Sequence, residues 1–210
     1  MPDELIFFTN PMSRGRIVRW MLEETGCAYR AEILGFGAEM KAPGYRAINP
    51  MGKVPAILHD GVVVTEAAAI CAYLADAFPG AGLAPSPAER GAYYRWMFFA
   101  AGPLEAALSN RALGFEVAAE RQRMIGYGSV EDAVDTLEYA VSQSKYVAGD
   151  RFTAADVYVG SQIGWGLMSG SLEKRPAFES YLKRVGGRPA AIRAREMDDA
   201  LVAAQKKAAP

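Results

Sequence analysis

The chain has 210 residues, enough to bury one large core or two small ones. Its 23 basic and 24 acidic residues give a net charge of −1, which excludes the basic footprint of a nucleic-acid or anionic-membrane binder and favours small-molecule or protein partners. No apolar run reaches the roughly 18–20 residues of a spanning helix, and Met1-Pro2-Asp3-Glu4 is acidic where a secretory leader is basic, so a cytoplasmic protein without a membrane partner is expected.

Leu5-Ile6-Phe7-Phe8 reads as a buried strand, followed by the turn-rich loop Thr9-Asn10-Pro11-Met12-Ser13. From Arg14 to Thr25, Ile17, Val18, Met21 and Leu22 recur at helical spacing, and Gly26 stands where a C′ glycine belongs. Tyr29 to Leu34 alternates as a strand. Ala56-Ile57-Leu58 and Val62-Val63-Val64 flank His59-Asp60-Gly61, a strand pair joined by a tight turn that His59 decorates. A second helix follows over 66–78. The order β-α-β then β-β-α implies one small mixed sheet in a domain over 1–80. Residues 79–85 read as a linker, and Ser86-Pro87-Ala88-Glu89 as a helix start with serine as N-cap. Residues 86–210 read as all-helical, with Gly102-Pro103 interrupting a first segment over 86–110 and further helices near 117–143, 154–168, 176–185 and 189–205. Thr153 and Asp156 form a capping box, with Phe152 and Val157 as its apolar staple, which is a folding device rather than a catalytic one.

Three features point to a ligand. Val54-Pro55 opens the third strand, where a proline withholds a ladder donor and favours the cis peptide, baring the Val54 backbone to an extended peptide. Glu66 supplies a carboxylate for an ammonium, and the helix that it precedes offers free N–H groups to a carboxylate. Together they suit an amino-acid head group. The two cysteines, Cys27 and Cys71, and the single histidine, His59, are read as packing or surface residues, and no metal is expected.

These pieces, in this order, resemble the cytosolic glutathione transferase superfamily over essentially the whole chain. The resemblance rests on Val54-Pro55 before the third strand, Glu66 and small residues opening the next helix, the linker into a helical region, and the capping box at Thr153. It implies an N-terminal thioredoxin-like βαβ-ββα domain that holds glutathione as co-substrate, an all-helical C-terminal domain that contributes the electrophile pocket, and a homodimer through helices near 66–78 and 86–110. By this resemblance Val54 pairs with the cysteinyl unit, Pro55 is the cis-proline, and Glu66 meets the γ-glutamyl ammonium. Ala67 departs from the usual serine or threonine and leaves only a backbone N–H for the glutamyl carboxylate. Lys41 and Lys53 are candidates for the glycyl carboxylate.

The chemistry implied needs a donor aimed at the glutathione sulfur from the loop before the first helix. Ser13 is the first choice, although it also reads as the cap of that helix, and Asn10 is the second; Met12 or a backbone N–H are further alternatives. Absence of cysteine from Thr9 to Arg14 argues against the branch that attacks with its own thiol and suggests a serine-type, bacterial branch. Met12, Phe36 and Trp165 are candidates for the electrophile pocket. The function implied is activation of the glutathione thiol for attack on a hydrophobic electrophile, a detoxifying conjugation. Glutathione-dependent peroxide or disulfide reduction, and a non-catalytic scaffold of the same fold, are the alternatives.

Overall fold

The computed structural model describes residues 4–208, so Met1, Pro2 and Asp3 of the acidic N-terminal reading lie outside the described residues. The chain divides into two compact units, one of residues 1–82 with 188–210 and the other of residues 83–187.

The first unit carries a four-stranded sheet in the order β2-β1-β3-β4, with β1 at Leu5–Thr9, β2 at Arg30–Ile33, β3 at Ala56–His59 and β4 at Val62–Thr65. The β1 and β2 strands are parallel, while β3 is antiparallel to both β1 and β4. The crossover between β1 and β2 is helix α1, Gly15–Thr25, closed by left-handed Gly26, whose N–H reaches the Leu22 carbonyl. The β3–β4 hairpin turns on Asp60 and Gly61, both at positive φ, as a two-residue turn of the I′ kind requires. His59 belongs to β3 rather than to the turn. It is buried, with Nδ1 2.9 Å from the Tyr73 hydroxyl and its ring packed on Phe78, because the pleat points it inward.

Strand alternation gives the sheet two different faces. Phe7 and its cross-strand partner Ile57 face α1, where Ile17, Val18, Met21 and Leu22 are buried. Phe8 points the other way and packs with Met40, Tyr45 and Ala56. Met40 and Tyr45 come from two short helices that sequence periodicity does not reveal, α2 at Ala38–Lys41 and α3 at Pro43–Arg46. Four residues are too few to show a 3.6-residue stripe. Helix α4, Ala67–Ala77, packs on α1 and buries Ile70, Cys71 and Leu74.

The second unit holds α5 (Arg90–Phe99), α6 (Glu105–Ala112), α7 (Val130–Ser142), α8 (Ala154–Ser169) and α9 (Pro176–Gly186). Three local expectations change here. Ser86 donates its hydroxyl to the Glu89 carboxylate at 2.8 Å instead of capping, so the chain makes one 3-10 turn over Pro87–Glu89 before α5 begins. Gly102-Pro103 lies in a π-helical stretch, Ala100–Leu104, that carries the chain from α5 into α6 without a break. The expected helix over 117–143 is a 3-10 segment, Ala119–Met124, separated from α7; extended Ile125 ends the first, positive-φ Gly128 turns the chain, and Ser129 accepts from the Asp132 N–H to start the second.

The capping box before α8 is more heavily bonded than its motif requires. Asp156 has no exposed surface and accepts from the Thr153 N–H (2.8 Å) and hydroxyl (3.0 Å), the Val147 N–H (2.8 Å) and the Tyr181 hydroxyl (2.7 Å). Burial pushes its carboxyl up against the pull of those four donors.

The last helix, α10 at Pro189–Ala208, falls in the first unit, in contrast to the expected domain over 86–210. The reason is electrostatic as well as apolar. On α1, Arg16, Arg19, Glu23 and Glu24 face Asp199, Asp198, Arg193 and Arg188 of the terminal segment in antiparallel order, at 2.8, 2.7, 3.1 and 2.7 Å. Arg19 and Asp198 are both buried, and burial raises the Asp198 carboxyl against the pull of the guanidinium. Among the described residues no helix is long and apolar enough to cross a membrane, and no group of three or more His, Cys, Asp or Glu is placed to hold a metal.

Candidate functional site

The register of the sheet decides where the candidate residues go. Thr9 is opposite Ile33, Phe8 opposite Ala56, and Ala56 opposite Thr65, so the ends of β1, β2 and β4 and the start of β3 lie at one edge. The segments 10–14, 34–41, 52–55 and 66–67 emerge side by side from that edge. Every first-unit residue nominated from the sequence sits on one of them.

A cleft of about 360 Å³ opens there, lined by Met12, Ser13, Phe36, Lys41, Lys53 and Val54, together with Arg14, Gly37, Met40 and Gly52. Its size suits a small peptide or similar ligand. Met12 and Phe36 are exposed apolar side chains on its wall. Trp165 lies in α8 of the second unit and is half-buried.

The 10–14 loop is held by its own side chains. Asn10 is 3% exposed; its Nδ2 donates to the Leu34 carbonyl at 2.8 Å and its Oδ1 accepts from the Met12 N–H at 2.9 Å. Both ends of that amide are therefore engaged in shaping the loop. Ser13 is half-buried and faces the cleft; its hydroxyl donates to the Asn10 carbonyl at 2.7 Å and accepts from the Gly15 N–H at 2.9 Å. It takes up the first N–H of α1 from one residue ahead of the N-cap, Arg14, while lining the cleft.

The 49–55 segment presents backbone. Asn49 is buried, donating through Nδ2 to the Lys53 carbonyl at 2.7 Å and accepting from the Met51 N–H at 3.1 Å. The Tyr45 hydroxyl meets the same Lys53 carbonyl at 2.6 Å, and burial pushes that phenol up to about 12. The Val54–Pro55 peptide is cis. Among the described residues no backbone group pairs with the Val54 N–H or C=O. The Lys41 ammonium donates to the Met51 carbonyl at 2.8 Å.

Gly52 permits the close approach of this segment to α2. Its φ is +57°, and a Cβ there would lie 2.4 Å from the Met40 carbonyl oxygen. Gly52→Ala is expected to cost about 2 kcal/mol, combining left-handed strain with the clash. A melting comparison with wild type checks this; unchanged stability would mean that the segment does not need the close approach.

Glu66 and Ala67 complete the edge beyond the cleft. Glu66 is exposed at φ +65°, a conformation that a non-glycine residue holds at a cost, and its carbonyl accepts the Ile70 N–H to open α4. The N–H groups of Ala67, Ala68 and Ala69 have no acceptor within the helix and face the end where its dipole is positive. Ala67 is buried. Sequence reading did not reach Asn49, Arg14, Gly37 and Met40. The turn former Asn49-Pro50 and the glycine two residues later were the available signal.

Cys27 is half-buried and accepts from the Thr25 hydroxyl at 3.0 Å, while Cys71 is fully buried in α4; burial pushes both thiols up. Neither lines the cleft.

Comparison with known proteins agrees with this geometry. Residues 12–77 match the family of glutathione S-transferase N-terminal domains. The chain is 29% identical to glutathione S-transferase GstA of Escherichia coli O157:H7 over 164 residues, covering 76% of this chain and 77% of the relative. It is 28% identical to the disulfide-bond oxidoreductase YghU of Escherichia coli K12 over 207 residues, covering 86% of this chain and 70% of the relative. A sphingomonad glutathione S-transferase solved with glutathione superposes with a TM-score of 0.75 at 27% identity, over 92% of this chain and 98% of that one. With the mixed sheet, the cis Val54–Pro55 edge and the helical second unit in place, the chain belongs to the glutathione S-transferase superfamily.

Proposed function

We propose that the protein is a glutathione transferase that binds glutathione along the 52–67 edge, lowers the pKa of its thiol, and delivers the thiolate to a hydrophobic electrophile. The observation that carries this reading is the open Val54 backbone between a cleft containing Ser13 and the Glu66–α4 junction. The cysteinyl unit pairs with Val54 as an added strand. The glutamyl ammonium meets Glu66, and its carboxylate takes the free N–H groups of Ala67 and Ala68. Lys53 and Lys41 serve the glycyl carboxylate, with Lys53 the more available because Lys41 is engaged at Met51.

A cysteine thiol ordinarily titrates near 8.5, and lowering that by two units takes about 2.7 kcal/mol of preferential thiolate stabilisation. Ser13 supplies part of it by turning its one hydroxyl hydrogen from the Asn10 carbonyl to the sulfur, while Asn10 keeps the loop in shape. Met12 and Phe36 receive an apolar electrophile beside the sulfur. The test is calorimetric titration with glutathione followed by conjugation to an activated aryl halide. Binding with turnover supports the reading, and glutathione binding without turnover on any electrophile class would point to a scaffold.

A second reading is glutathione-dependent disulfide reduction, favoured by the relation to YghU and by protein cysteines that avoid the cleft. Hydroxyethyl disulfide turnover exceeding conjugation would select it.

The working form is a cytoplasmic homodimer. The α5 stripe of Tyr94 and Phe98 supports it, since Phe98 is 69% exposed and its ring centroid is 6.2 Å from that of Tyr94. Phe98→Asp is expected to sediment as a monomer, and an unchanged dimer would move the interface elsewhere.

A further inference from the structure

We propose that Arg16, held by Asp199 of the terminal helix, is a positioning residue that braces the sulfur-facing loop. Arg16 lies outside the cleft lining. Its guanidinium reaches in two directions. Nε donates to the Pro11 carbonyl at 2.5 Å, inside the 10–14 loop, and Nη2 meets Asp199 Oδ1 at 2.8 Å on α10. One planar fork thus ties the loop to a second element.

A brace works only if its far end is fixed, and the first half of α10, with Arg188 just before it, is fastened to α1. The adjacent residue Asp198 pairs with buried Arg19 at 2.7 Å, Arg193 meets Glu23 at 3.1 Å, and Arg188 grips both oxygens of Glu24 at 2.7 Å. The charge pattern supports a purpose in this pairing. Basic Arg16 and Arg19 sit toward the N-terminal end of α1 and acidic Glu23 and Glu24 toward its C-terminal end, each opposed to the helix dipole. The terminal segment offsets that arrangement with charges of the opposite sign. The loop that receives the brace is the one in which Ser13 bonds to Asn10, one residue from Pro11. Moving Pro11 moves the hydroxyl.

This inference rests on the proposed role of the loop in thiol activation. It is tested with the full-length protein and three variants, Arg16→Met, Arg16→Lys and Asp199→Asn. Arg16 is partly exposed and Asp199 largely so, so folding is retained. The probe is glutathione, followed by thiolate absorbance across pH, with amide exchange of Met12, Ser13 and Gly15 measured without ligand. For Arg16→Met the expected result is faster exchange, glutathione affinity within about twofold of wild type, and a bound-thiol pKa raised by roughly half to one unit from a wild-type value of about 6.5, which lowers the thiolate fraction at pH 7 about 1.5- to threefold. Turnover then recovers at roughly pH 9, where the thiolate forms unaided. Arg16→Lys, with one nitrogen for two acceptors, follows Arg16→Met, and Asp199→Asn gives a smaller shift. Unchanged exchange, or an unchanged thiol pKa despite faster exchange, overturns the proposal. If the wild-type protein itself leaves the bound thiol at its free value, the functional reading fails, and unchanged or faster exchange still decides whether the brace exists.

Discussion

Glu66→Ala is expected to weaken glutathione binding by roughly ten- to a hundredfold, the equivalent of one charge-assisted hydrogen bond lost from an ammonium. The same substitution leaves the positive φ of position 66 occupied by another Cβ-bearing residue, so it relieves no backbone strain. Glu66→Gly separates the two effects. Glycine adopts this conformation freely, so the glycine variant should be about 1 kcal/mol more stable than the alanine variant while binding glutathione as poorly. Calorimetric affinities beside thermal melts check both parts. Alanine and glycine variants that bind like wild type would remove Glu66 from the site and leave its strained backbone without a functional account.

Asp156→Ala is expected to be the most destabilising single change, at about 4 kcal/mol. The carboxylate is fully buried and takes four hydrogen bonds from Thr153, Val147 and Tyr181, and its removal strands those donors away from water. For a chain of this size that amounts to a fall in melting temperature of roughly 10–15 °C. Asp156→Asn, which keeps an acceptor, should lose distinctly less. A melt of Asp156→Ala within a few degrees of wild type would show that water or rearranged partners replace the network.

Features set by local chemistry were legible in the sequence, and features set by distant contacts were not. The Val54-Pro55 edge, the glycine stop at Gly26 and the Thr153–Asp156 box each announce themselves within a few residues, because a proline, a left-handed glycine or a cap acts on its immediate neighbours. That Ser13, Val54 and Glu66 belong to one site was expected only through the family resemblance; the strand register that sets their segments along one edge was not readable from the residues themselves. The commitment of the Ser13 hydrogen to Asn10 was not legible, nor was the anchoring of Asn10 to Leu34, which lies 24 positions away. Helices α2 and α3 were missed because each is a single turn, and the 117–143 segment was drawn as one helix because its apolar residues outweighed the glycines at 126 and 128. The two remaining donors to Asp156, the Val147 N–H and the Tyr181 hydroxyl, come from distant parts of the chain, so a four-residue motif concealed a larger network. The Arg and Asp residues linking α1 and α10 are separated by some 180 positions, and each alone reads as an ordinary surface charge.

The central claim is that this cleft ionises glutathione, and the most direct test is the ultraviolet thiolate absorbance of glutathione titrated with the protein across pH, beside Ser13→Ala. The bound-thiol pKa is expected well below that of free glutathione in the wild-type protein, moving back toward the free value when the Ser13 hydroxyl is removed. A bound thiol that titrates as it does in free solution would contradict it.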